Sequence, residues 1–314
     1  MKQPLFAPKE VENAWKSLPS EIRETPLVRA RRPGLMFKLE TLQPTGSYKI
    51  RAAFTRLSRD EGSRGGVALS SSGNFASAFT WACRRFDRPA HLVVTPQVNS
   101  KKMELARQNP CTVHVCGESY ESRFQMLAQL EEKGIETIDH RTCRTVFLGH
   151  STIGWECRQQ ATFERILIPL STGGLAVGVA ASLRQEGFEG EILGVQPAGN
   201  PTLYESWKAG HPVQRRGITT MCDALTATSI PDETFQALRL LLDDVLLVKE
   251  ESVRRSVKYL ALEEGIVAEP GAAVGVAALL EGQREWTGSL CLITGRNIEA
   301  QSLINCCQEE VIYE

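Results

Sequence analysis

The 314-residue chain is predicted to be an α/β protein built on parallel sheets. Strand-like apolar runs alternate with helix-like segments along most of its length, the pattern of a parallel sheet covered by helices on both faces. At 42% hydrophobic residues the chain can bury a substantial core, either as one large domain or as two lobes sharing a site. Neither an internal repeat nor a low-complexity segment interrupts the pattern.

The elements follow in order. GLMFKLE (34–40) reads as a strand and is followed by a helix from about Ile50; GVALS (66–70) is followed by a helix from Phe75. AHLVVT (90–95) precedes the helical SKKMELARQ, and CTVHVC (111–116) precedes SYESRFQMLAQLEEKG. In the second half RILIPL (165–170) leads into LAVGVAASLRQEG, then come EILGVQP, DDVLLVKE with the helical SVRRSVKYLALEEG, and finally SLCLIT (289–294). Between Gly199 and Ile230, Gly, Pro, Thr and Ser accumulate without a sustained apolar period, which predicts loops with one short helix.

Charge excludes several classes of partner. The 36 basic and 37 acidic side chains leave a formal charge of −1, with no block of like charges, so neither nucleic acid nor an anionic membrane is an expected partner. Nine cysteines at scattered positions, without CxxC spacing, point to reduced thiols and against a structural zinc site. The N-terminal MKQPLFAPKEVENAWKSL has no signal-peptide apolar core, so a cytoplasmic protein is expected.

In open α/β sheets ligands collect at the carboxyl ends of strands, which directs attention to the loops after Glu40, Leu69, Leu170 and Ile293. STGGLAVGVA, from Ser171, places two hydroxyls and two glycines ahead of a helix of small residues. Backbone amides and the positive helix end can there meet a phosphate, although a tight capped turn reads the same way. SSSGNFASAF, from Ser70, surrounds Gly73 with donors suited to a carboxylate, or it is simply a helix cap. Thr294 closes a strand, where its hydroxyl could meet a buried ring nitrogen or again cap a helix. In PTGSYKI, Tyr48 offers an aromatic body and Lys49 opens a helix, at the end where the dipole disfavours a cation. A lowered pKa would suit an amine that attacks an aldehyde; a solvated surface lysine is the alternative.

Taken together and in order, KLETLQPTGSYKIRAA, SSSGNFA, GHSTIGWE, IPLSTGGLAVG, CDALTA, AEPGAAVGVAALL and ITGRN resemble the motifs of fold type II pyridoxal-phosphate enzymes. Within that tryptophan synthase β-like superfamily the likeness is to the serine/threonine dehydratase and serine racemase branch, and it runs from Thr25 to Asn297. It implies two three-layer α/β/α domains with mostly parallel twisted sheets and the active site between them. Residues 1–56 and 147–314 would form a large domain binding the cofactor, and 57–146 a small mobile domain, in a homodimer.

The resemblance also distributes roles. Lys49 would hold pyridoxal 5'-phosphate as a Schiff base, and Ser171, Thr172, Gly173, Gly174 and Leu175 would hold its phosphate. Asn74 would hydrogen-bond the ring 3'-oxygen, Thr294 would face the pyridine nitrogen, and Tyr48 and Glu269 would lie close by. Ser71, Ser72, Gly73, Asn74 and Phe75 would clamp the substrate carboxylate. The implied reaction is β-elimination from L-serine, L-threonine or a related β-substituted amino acid, giving a 2-oxo acid and ammonia. A β-replacing synthase of the cysteine or diaminopropionate type is the alternative, as is a racemase, for which Ser72 would be the catalytic group opposing Lys49.

Three departures bear on the substrate. Ser171 and Thr172 stand where the family has glycines, Phe75 where it has histidine, and Arg296 where it has glycine or alanine. Arg296 could reach a distal carboxylate or point to solvent. QPAGNPT carries no acid where some relatives bind a divalent cation, so no metal is expected, and with the last motif so near Glu314 no C-terminal regulatory domain is expected either.

Overall fold

In the computed structural model, which describes residues 4–59, 65–71, 73–96, 100–119 and 121–308, every apolar run named above becomes a strand. Helix α1 (Glu10–Ser17) precedes β1 (Leu27–Arg29) and β2 (Leu35–Leu39), and α2 (Lys49–Leu57) follows a single 3₁₀ turn. Then come β3 (Val67–Ser70), α3 (Asn74–Arg85), β4 (Ala90–Val94), α4 (Ser100–Arg107), β5 (Thr112–Val115), α5 (Ser122–Glu132) and β6 (Glu136–Ile138). The rest comprises α6 (Arg144–Gln160), β7 (Arg165–Pro169), α7 (Gly174–Gln185), β8 (Glu191–Pro197), α8 (Thr202–Ala209), α9 (Asp232–Leu241), β9 (Asp244–Val248), α10 (Glu250–Leu262), α11 (Pro270–Leu280), β10 (Ser289–Ile293) and α12 (Ala300–Gln308). From Gly199 to Ile230 the chain holds α8 and is otherwise irregular.

These strands form two sheets. One has six strands in the order β1-β2-β10-β7-β8-β9, the other four in the order β5-β4-β3-β6. Every pairing is parallel except β1 with β2. Strand β10 shows why: SLCLI is buried at all five positions between β2 and β7, and a run without polar alternation suits a strand covered on both faces. Helix α11 supplies part of that cover, since PGAAVGVAALL is apolar on every side, and Pro270 sits where its missing N–H costs nothing.

The largest core cluster joins the two sheets, with Val67, Leu69 and Leu92 of one packed in the same cluster as Ile166, Ile168 and Leu290 of the other. Helix α2 lies close against α6 there. A Cβ at Gly149 would stand 2.5 Å from the Ala52 Cα, so only glycine allows this approach. Parallel pairing of β10 with β2 then sets their following loops side by side: the Tyr48 N–H donates to the Thr294 carbonyl at 3.0 Å, and Ser47 bridges to Gly295. Among the described residues no helix is long and apolar enough to cross a membrane.

Candidate active site

The carboxyl ends of β3, β7 and β10, together with the turn that follows β2, converge on one cavity of about 370 Å³. Of the residues singled out in the sequence, Tyr48, Lys49, Ser71, Gly73, Asn74, Phe75, Ser171, Thr172, Gly173, Gly174, Leu175, Glu269 and Thr294 line it. Ser72 lies outside the described residues. Arg296 does not line the cavity: it is exposed, and its guanidinium donates to the Thr41 carbonyl, beside the lysine turn.

Lys49 is the first residue of α2. Its Nζ stands 4.7 Å from the centre of the Tyr48 ring and 5.0 Å from that of Phe75, and among the described residues it has no hydrogen-bond partner. Burial pushes the amine down to about 8, against the opposing pull of the Glu269 carboxylate. Loss of hydration is thus what lowers this amine, so that a sizeable fraction of it is neutral slightly above physiological pH. One consequence is measurable in cofactor-free protein. The unfolded chain, with Lys49 at its ordinary 10.5, binds a proton that the folded chain does not between pH 8 and 10.5, so stability rises across that window. Below pH 8 the full penalty applies, on the order of 3 kcal/mol for such a shift. Lys49→Met is expected to raise the urea midpoint at neutral pH and to lose that advantage above 10.5.

Also on the cavity wall, Ser171 to Gly173 turn into the twelve-residue α7. Gly173 has φ +91°, and a Cβ there would meet Leu238 at 2.7 Å, so the turn depends on a residue without a side chain. Amides at the head of a helix, with the Ser171 and Thr172 hydroxyls beside them, make a place for an anion. On the third side Asn74 opens α3, and its Nδ2 donates to Glu269 Oε1 at 2.5 Å.

Arg123, His140 and Asp223 also line the cavity, none of them singled out in the sequence. His140 stands edge-on to Phe75 with ring centres 5.4 Å apart. Burial, and then the charge of Lys49, push its imidazole down to about 3, so it is neutral. Arg123 and His140 approach from a helix and a strand end whose sequences carry no loop motif. Asp223 belongs to CDALTA, a motif of the resemblance that by itself names no side chain.

The family described as "Pyridoxal-phosphate dependent enzyme" matches residues 18–295. An L-threonine ammonia-lyase of Thermotoga maritima is 29% identical over 250 residues, 78% of this chain and 62% of that protein. A phenylserine dehydratase of Ralstonia pickettii is 29% identical over 272 residues, covering 84% of this chain and 83% of that one. Among solved structures, maize serine racemase superposes with a TM-score of 0.87 at 26% identity over 95% of each chain.

Proposed function

This chain belongs to the pyridoxal-phosphate dependent enzymes, and from that premise we propose that it is an ammonia-lyase, eliminating the β-hydroxyl of L-serine, L-threonine or a similar amino acid. The observation that carries the reading is a half-buried amine, its pKa lowered to about 8 and without a hydrogen-bond partner among the described residues, lining the same cavity as the glycine-bearing turn at the head of α7. That donor set fits the cofactor. Lys49 would hold its aldehyde carbon, Ser171 to Gly174 with Leu175 its phosphate, Asn74 its ring oxygen and Thr294 its ring nitrogen.

Bound pyridoxal phosphate supplies a conjugated ring that takes up the electron pair left when the α-proton departs. The protein supplies the rest. Lys49 Nζ would accept the α-proton, and a pKa lowered to about 8 leaves more of it unprotonated near neutral pH than an ordinary lysine would have. Thr294, a neutral hydroxyl, would not hold a proton on the ring nitrogen as a carboxylate would, which favours elimination over longer-lived carbanion chemistry such as transamination. Ser71, Ser72 and Gly73 would take the substrate carboxylate, with Phe75 as an apolar wall.

Two relatives act in this way by name, the Thermotoga and Ralstonia proteins. Incubation with a panel of amino acids is expected to yield a 2-oxo acid and ammonia from serine or threonine. Product only in the presence of a second nucleophile would instead indicate a β-replacing synthase. A racemase is the second reading, favoured by the likeness to maize serine racemase, and it would release the D-isomer in the same panel. We further propose a cytoplasmic homodimer in which residues 57–146, carrying the four-stranded sheet, form a small domain that moves against the larger one, formed by 1–56 and 147–314.

A further inference from the structure

Asn297 is the last residue of the ITGRN motif, and nothing above gives it a task. Its Nδ2 donates to the Thr45 carbonyl at 3.0 Å and to Asn74 Oδ1 at 2.9 Å. Asn74 in turn donates through Nδ2 to Glu269. This chain of bonds can run in only one direction, because it ends at a backbone carbonyl on one side and a carboxylate on the other, and neither can donate. A reversed Asn297 amide would set oxygen against the Thr45 carbonyl, and a reversed Asn74 would set oxygen against Glu269. The fit around Asn297 is tight as well. Gly46, at φ +74°, sits where a Cβ would lie 2.3 Å from Asn297 Oδ1.

We propose that Asn297 is a positioning residue that locks the Asn74 amide so that its nitrogen, not its oxygen, is offered to the cofactor. The same bonds tie three loops together: the turn four residues ahead of Lys49, the start of α3 and the end of β10. The inference rests on the reading of Lys49 and Asn74 given above.

The test uses the cofactor-loaded enzyme and four forms of it: wild type, Asn297→Ala, Asn74→Ala and the double variant. Cofactor retention in equilibrium dialysis and the pH profile of the visible absorption band are measured for each. Asn297→Ala is expected to loosen retention about tenfold, the scale of one oriented hydrogen bond. The band's profile should move to higher pH, since a lost donor no longer favours an ionised ring oxygen. The double variant should be no worse than Asn74→Ala alone, because both changes remove one shared interaction. Asn297→Asp, equal in size but unable to donate to Thr45, should behave like Asn297→Ala and serves if the alanine variant folds poorly. Unchanged retention and profile in both Asn297 variants, or losses that multiply in the double variant, would overturn the proposal. Borohydride reduction of the same samples separates the two layers: a pyridoxyl group absent from Lys49 removes the underlying reading, whereas one present with unchanged retention removes only the role of Asn297.

Discussion

Replacing Lys49 with alanine is expected to abolish turnover and the visible band of the bound cofactor together. Proton transfer by a placed side chain is worth roughly 10²–10⁴ in rate, and the loss should reach the top of that range or beyond because no neighbour can take over. His140, the nearest imidazole on the cavity wall, is held at about 3 and would be a poor base. Burial and the Glu269 charge raise the Tyr48 phenol, so it stays protonated. Glu269 itself is held by Asn74. Tryptic mapping after borohydride reduction checks the covalent half of the prediction, and a coupled 2-oxo acid assay the kinetic half. A variant that kept both band and turnover would contradict the assignment of this lysine.

Much of this site is legible in the sequence because it is made of loops, and loops carry local chemistry. The turn at Ser171, the serines before Asn74, the Pro-Thr-Gly-Ser lead into Lys49 and the strand end at Thr294 each show a recognisable run, and all four face one cavity. What stays hidden is long-range. Helix α6 has no clean apolar stripe, since eleven of its seventeen residues are buried and polar side chains are among them. Helix α11 is apolar all round, which removes the periodic signature by which a helix is read. Arg123 and His140 reach the cavity only once β6 pairs with β3 and brings the strand end before His140 into place. Asn297 is visible as a letter of a motif, but its bonds to Thr45 and Asn74 span 252 and 223 residues.

The largest effect on stability is expected at Arg51, two positions after the lysine. IRAAF reads as an ordinary helix start, and nothing in it signals that Arg51 is completely buried. Its guanidinium grips Glu40 at 2.9 Å and Glu156 at 2.7 Å, and Lys38, equally buried, meets Glu156 at 2.7 Å. The remaining lone pairs are taken too, by the Thr25 hydroxyl and the Gln43 amide on Glu40 and by the Trp15 indole and the Glu24 N–H on Glu156. Two cations and two anions removed from water are tolerable only while all remain, so Arg51→Met should cost about 3–5 kcal/mol by stranding buried carboxylates. That is a large share of the ~5–15 kcal/mol that holds a domain folded. The exposed Glu12–Lys16 pair offers the contrast, and Lys16→Ala should leave the urea midpoint unchanged. Acid supplies an independent check. Burial raises the Glu156 pKa, but the charges and hydrogen bonds of Arg51 and Lys38 outweigh it and hold the carboxyl at about 2. A carboxylate depressed in this way contributes fully above its ordinary 4.5, and the contribution is lost as pH falls toward 2. The gap in urea midpoint between wild type and Arg51→Met should therefore be widest above pH 4.5 and shrink across that interval. A gap that stays constant there would mean that Arg51 acts through packing alone and that the buried charges are not what joins β2, α2 and α6 behind the lysine.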